Sequence, residues 1–287
     1  MNNIQHLLAI KNILGESPLW HPEEQCLYWV DIDGEAFFKW NLMENEQPQR
    51  FGVGSLLVAI AFRAQGGLLL ATQKGFALCN AEASSLQFIA DPEADKPQTR
   101  LNDGAVDPQG RFWCGSLGDP FNNALYRFDP DHSVHLIEDG IGMANGMAWS
   151  PDQQTFYFAD TLAHTVYAYD YKRLEGCISN RRVFIRDKSA GLPDGLTVDS
   201  EGFIWLAWWG GWRLTRHDPE GKLQRQIDLP VECPTSCTFG GVDLDQLYIT
   251  SAAAEQGKAP SHRQPLAGDL FCLLPNVTGL SPFFFTG

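Results

Sequence analysis

The feature that most restricts the fold of this chain is a repeat. Four stretches, Pro18 to Trp29, Ala105 to Trp113, Met147 to Tyr157 and Leu196 to Trp205, each read as a strand, a polar turn and an aromatic strand. Two weaker copies, Ala61 to Leu70 and Thr238 to Tyr248, complete the series. With the turn as marker, Pro22, Ala64, Pro108, Pro151, Ser200 and Gly241 follow one another at separations of 42, 44, 43, 49 and 41 residues. Further short segments between the markers, such as Ala124 to Phe128 and Val166 to Tyr169, alternate with a period of two, as half-buried strands do. A helical period is sustained nowhere. A unit of this length with about four strands is a propeller blade. The sequence therefore predicts an all-β fold: a six-bladed β-propeller with four-stranded blades around a central channel, occupying residues 1–287 as a single domain.

The ends of the chain fit that ring. The interval that closes it has 46 residues after Gly241 and 21 before Pro22, which exceeds a blade by about twenty residues. The polar stretch Ser251 to Gly268 is expected to take up the excess as a loop. The apolar segment Leu7 to Leu14 is expected to pair beside the C-terminal strands, which would protect both edges.

Composition narrows the function. The net charge of -14 repels phosphate backbones and anionic lipid surfaces, so neither nucleic acid nor a membrane is an expected partner. The 7 cysteines are scattered without a CxxC pair, which predicts reduced, mostly buried thiols rather than a disulfide framework. No signal peptide is visible, and no uncharged apolar run reaches the roughly 18 residues of a membrane span. A cytoplasmic location is expected.

Equivalent repeat positions lie at equivalent heights and radii in a propeller, so residues six before each marker form a ring at the start of the innermost strands. That ring reads Glu16, Val58, Asn102, Asn145, Asp194 and Thr235. Carboxylates and carboxamides converging on a narrow axis repel and desolvate one another unless a positive charge sits between them. A hard divalent cation meets that need, with Glu16, Asp194 and the Asn145 side chain as oxygen ligands. Asn145-Gly146 and Asp194-Gly195 are also ordinary turn dipeptides; it is the shared phase that favours a site. The 7 histidines show no HxxxH or HExxH spacing, which argues against a histidine-rich zinc centre. Trp208, Trp209 and Trp212 are candidates for an aromatic wall beside a sugar.

Gly15 to Pro18, Arg100 to Gly104, Asn145-Gly146, Pro193 to Gly195 and Thr235 to Gly241, in this order and spacing, resemble the SMP-30/gluconolactonase/regucalcin family from about Ile13 to Gly268. The resemblance implies a six-bladed propeller that binds one divalent ion (calcium, zinc, manganese, magnesium or iron) and opens aldonolactone rings. It implies Glu16, Asn145 and Asp194 as metal ligands, in agreement with the ring, and Arg100 and Asn102 as substrate contacts. Asp103 is expected to support them from behind or to meet a sugar hydroxyl. Where many relatives continue with Gly-Thr-Met and a substrate-reaching glutamate, this chain has Gly115-Ser-Leu-Gly-Asp119, so Asp119 is the candidate replacement with shorter reach.

The activity expected from these residues is metal-dependent hydrolysis of a sugar lactone, a carboxylic ester, with Asp194 as the general base toward water. A covalent acyl-enzyme is disfavoured because no GxSxG serine accompanies a suitable histidine. Two alternatives stay open at this point: hydrolysis of phosphotriesters or non-sugar lactones by the same ion, and a regucalcin-like calcium-binding protein without catalysis.

Overall fold

The computed structural model describes residues 4–44, 47–80, 84–189, 191–253 and 264–287. Among these residues there is no helix, and the strands form six four-stranded antiparallel sheets. Strand β1 (Gln5–Leu8) precedes the first complete sheet, β2 (Gly15–His21), β3 (Cys26–Asp31), β4 (Ala36–Asn41) and β5 (Gln49–Gly52). The second is β6 (Leu57–Phe62), β7 (Leu68–Thr72), β8 (Gly75–Cys79) and β9 (Leu86–Ala90). The third is β10 (Arg100–Val106), β11 (Phe112–Leu117), β12 (Asn123–Phe128) and β13 (Val134–Ile141). The fourth is β14 (Ala144–Trp149), β15 (Thr155–Asp160), β16 (Thr165–Lys172) and β17 (Cys177–Arg186). The fifth is β18 (Leu192–Val198), β19 (Ile204–Trp209), β20 (Arg213–His217) and β21 (Leu223–Asp228). The sixth contains β22 (Pro234–Gly240), β23 (Gln246–Ser251) and β24 (Leu270–Leu273), and β1 completes it.

The molecule is thus a six-bladed propeller. Inner strands of consecutive blades pack side by side around the whole ring, β22 against β2 included. Closure uses both ends of the chain: β1 runs antiparallel to β24 with Gln5 opposite Cys272, and Leu14 bridges to Ala252. The pairing strand is shorter than the Leu7 to Leu14 segment suggests. Of the Ser251 to Gly268 loop, residues 254–263 lie outside the described residues.

Why the repeat keeps its residue types is visible in the packing. Between the blades the apolar faces meet, with Trp29, Trp113, Trp205 and Trp208 fully buried. An indole buried this way needs a partner for its N–H. In two blades an aspartate one residue before the marker supplies it. Asp107 accepts from Trp113 Nε1 at 3.0 Å, Arg111 Nε at 2.7 Å and the Tyr171 hydroxyl at 2.8 Å. Asp199 accepts from Trp205 Nε1 at 2.9 Å and Arg216 Nε at 2.8 Å. The outermost strands β9, β13 and β17 are exposed or half-buried over nearly their whole length, as blade edges are. None of the seven cysteines is bonded to another, and six are buried, Cys177 being the exposed one.

All six inner strands shift register at the same phase: between Glu16 and Leu19, Leu57 and Ala59, Leu101 and Gly104, Ala144 and Met147, Pro193 and Leu196, and Pro234 and Cys237. Such a bulge re-aims a side chain that the pleat would otherwise send into the sheet face. Of the ring positions, Glu16, Asn102, Asn145 and Asp194 line the cavity at the end of the channel, and Val58 and Thr235 do not. At the opposite end, the last residues cross the marker turns. Ser200 N donates to Thr278 O at 2.9 Å, Phe285 N to Phe62 O at 2.8 Å and Thr286 N to Gly110 O at 3.1 Å. Leu280 to Phe283 line a cavity of about 170 Å³ in the channel beneath the ring.

Candidate metal and substrate site

Where the inner strands begin, a cavity of about 310 Å³ opens at the end of the channel. Its polar side chains are Glu16, Arg100, Asn102, Asn145, Thr161 and Asp194, and its apolar walls are Leu14, Ile32, Leu117, Met143, Leu192 and Trp209. Glu16, Asn102, Asn145 and Asp194 are all buried.

Asn145-Gly146 lies inside β14 and Asp194-Gly195 inside β18, so neither dipeptide is a turn. Their glycines answer to crowding at the axis. A Cβ on Gly146 would stand 2.6 Å from Asp194 O and 2.7 Å from Leu196 N, and one on Gly195 would stand 2.7 Å from Ser236 Cα. At Glu16 the chain turns by another route. Ser17 takes a left-handed φ of 45°, an uncommon conformation for a non-glycine residue in a strand. Its amide donates back to Glu16 Oε2 at 2.8 Å.

Three carboxyl groups, Glu16, Asp194 and Asp103, then lie out of water and close enough to feel one another's charge. Burial, with the Asp103 charge adding to it, pushes Glu16 up to about 8 from an ordinary 4.5. Burial raises Asp194 well above the usual carboxylate range, and Glu16 and Asp103 raise it further. Asp103 rises to about 6, again through burial. Arg100 is the nearby cation, and burial lowers its own pKa. A protein holding this many carboxyl groups out of water stabilises their ionised forms only if positive charge joins them.

The two carboxamides have fixed orientations. Arg100 Nη1 donates to Asn102 Oδ1 at 2.7 Å, and Asn102 Nδ2 donates to Ala144 O at 2.7 Å and to Asn145 Oδ1 at 3.1 Å. Asn145 Nδ2 donates to Thr161 Oγ1 at 2.9 Å. Asn145 lines the cavity, and its oxygen, which accepts one of these bonds, keeps a second lone pair to offer. Glu16, Asp194 and this oxygen make a hard donor set that fits calcium, magnesium, manganese or a similar divalent ion. Among the described residues no group of three or more His, Cys, Asp or Glu side chains is placed to hold a metal; the set here has two carboxylates, and its third member is an amide.

Of the residues singled out in the sequence, Glu16, Arg100, Asn102, Asn145 and Asp194 line the same cavity. Asp103 lies beneath it, lining the channel with Ser17 and Ser236, and accepts from Ser17 Oγ at 3.3 Å and Gly104 N at 2.8 Å. Asp119 is exposed in the loop after β11, where its backbone oxygen accepts from Asn122 N and Asn123 Nδ2. Of the three tryptophans, Trp209 lines the cavity, Trp208 is fully buried with its N–H on Thr215, and Trp212 is exposed. Thr161 is the site residue that sequence reasoning passed over. It follows β15 at a phase of the repeat with no chemistry of its own.

Residues 14–253 match the family described as SMP-30/Gluconolactonase/LRE-like region. The chain belongs to this family. Regucalcin of Danio rerio is 38% identical over 292 residues, covering 99% of this chain and 98% of its own length. Among solved structures, a luciferin-regenerating enzyme superposes with a TM-score of 0.94 at 28% identity, covering 100% of both chains. Regucalcin from Agrobacterium tumefaciens, described as a calcium-binding protein, superposes with a TM-score of 0.92 at 26% identity, covering 98% of this chain and 96% of its own. All six inner strands begin within the SMP-30/gluconolactonase/LRE-like match, and so do Glu16, Arg100, Asn102, Asn145 and Asp194.

Proposed function

We propose that this protein is a metal-dependent lactonase that hydrolyses an aldonolactone of the gluconolactone or pentonolactone type to the open aldonic acid. The observation that carries the reading is the meeting of two buried carboxyl groups, Glu16 and Asp194, with the fixed Asn145 oxygen in a cavity that also holds Arg100. Family membership supports lactone chemistry as the class of reaction.

Glu16, Asn145 and Asp194 would hold the cation, which would supply polarisation of the lactone carbonyl and a lowered pKa for water. Asp194 accepts the proton of the attacking water and passes it to the ring oxygen as the acyl C–O bond breaks, so the step begins and ends with the same protonation state. Arg100 keeps N–H groups for the ring oxygens and for the carboxylate that forms once the product acid releases its remaining proton to solvent. Asn102 spends its amide holding Arg100 and Asn145 in place. Leu117, Met143, Leu192 and Trp209 exclude water from the ring carbons.

The test is an initial-rate screen of aldonolactones against a panel of divalent ions, with spontaneous hydrolysis subtracted. Turnover is expected only with an ion present, and Asp194→Asn is expected to lower kcat by at least about a hundredfold. Undiminished hydrolysis by the chelated protein, or by the variant with metal restored, contradicts the reading. The description of one similar structure as a calcium-binding protein supports one other assignment, calcium binding, here taken without turnover. Tight calcium uptake with no hydrolysis of any lactone under any ion would select it.

A further inference from the structure

We propose that the Thr161 hydroxyl is a positioning group: it holds the Asn145 carboxamide with its oxygen toward the cavity and couples that orientation to the backbone of Asp194. The inference rests on the reading of Asn145 and Asp194 as cation ligands.

The geometry gives Thr161 this role because no link around it can reverse. Thr161 Oγ1 donates its single proton to Pro193 O at 2.8 Å, and a backbone carbonyl can only accept. Toward Asn145 the hydroxyl is therefore an acceptor, and Asn145 must present Nδ2 to it, at 2.9 Å. On the other side Asn145 Oδ1 faces Asn102 Nδ2. Asn102 cannot turn over either. Its oxygen accepts from the Arg100 guanidinium, which has no acceptor, and its nitrogen donates to the Ala144 carbonyl, which has no donor. One directed chain of donors runs from Arg100 through Asn102, Asn145 and Thr161 to Pro193 O, crossing from the third blade to the fifth and ending one residue before Asp194.

A carboxamide's two ends are nearly equal in size, so shape alone does not choose between them. Turned over, Asn145 would present two N–H donors to a cation and repel it. Thr161 is buried, its amide donates to Met143 O at 3.0 Å, and it lies just beyond the end of β15. Its backbone is thereby fixed, and the hydroxyl holds a defined position between the fourth and fifth blades. Partners that orient a ligand in this way carry roughly ten- to a hundredfold of metal affinity in other sites.

Two substitutions separate the hydroxyl from the rest of the side chain. Thr161→Val keeps the shape and removes the hydrogen bonds; Thr161→Ser keeps the hydroxyl. Calorimetric titration of the chelated full-length proteins with calcium and with manganese is expected to show affinity lowered about tenfold or more in Thr161→Val and close to wild type in Thr161→Ser. In the metal-free proteins, the Asn145 side-chain NH₂ resonances are expected to be protected from solvent exchange in wild type and Thr161→Ser and to lose that protection in Thr161→Val. Equal affinity in all three proteins, or unchanged amide protection in Thr161→Val, overturns the proposal, and so does a Thr161→Ser as weak as Thr161→Val. A wild type that takes up neither ion overturns the cation reading, and the amide resonances then still decide the orientation.

Discussion

Glu16, Asp103 and Asp194 sit where water would normally be needed, and their raised pKa values record what the fold spends to place them there. A second buried group away from the site shows the same physics with the opposite sign. Trp208 Nε1 donates to Thr215 Oγ1 at 2.7 Å, that hydroxyl meets His217 Nε2 at 3.0 Å, and His217 Nδ1 faces Gly221 O at 3.2 Å. The relay suits a neutral ring, and burial lowers the His217 pKa below its ordinary 6.5 despite the pull of Asp218. The folded protein therefore binds fewer protons here than the unfolded chain. Stability from this group is complete above the ordinary pKa of about 6.5 and is lost as the pH falls through it toward the lower folded value. Urea unfolding at pH 8 and pH 5.5 is expected to show a larger loss in wild type than in His217→Gln; equal losses contradict the assignment. At this scale the sequence was informative where the repeat fixed a residue's height, as at Glu16, Asn145 and Asp194. Thr161 was illegible because its partners lie in other strands, and the shorter Asp119 was legible only as a type, since a loop sets where it points.

The inner strand carries the second lesson. Asn-Gly and Asp-Gly read equally well as turns from their composition, and phase alone favoured a site. Both pairs lie within strands because a bulge at that position bends the pleat and the glycine admits the neighbouring inner strand. No local pattern announces a bulge, since its cause is the crowding of six strands at one axis. Gly146→Ala places a methyl against the backbone of Asp194 and Leu196. It is expected to destabilise the fold by about 1–3 kcal/mol, as overpacking does, and to weaken cation uptake by displacing Asp194. Chemical denaturation with parallel metal titration checks both. A stable variant with unchanged affinity would mean that the two strands have room to spare.

For the whole molecule, six markers at near-equal spacing determined the architecture, and the ring closes through β1 on β24 as the leftover residues at both ends required. What the sequence could not supply was the crossing of the channel's far end by the last residues, because that path depends on which marker turns leave a backbone group free. The cavity at the ring end holds Glu16 and Asp194, and the C-terminal residues line the other cavity. On the proposed reading, a divalent ion completes the folded propeller. An ion that binds the folded state alone adds about 2.7 kcal/mol at a hundredfold excess over its Kd. The most direct measurement is the thermal midpoint of the exhaustively chelated protein with and without saturating calcium, manganese or zinc, for wild type and for Glu16→Gln. The expected result is a rise of several degrees in wild type with at least one ion, and a rise much reduced or absent in Glu16→Gln. No shift with any ion, or the same shift in both proteins, would contradict it.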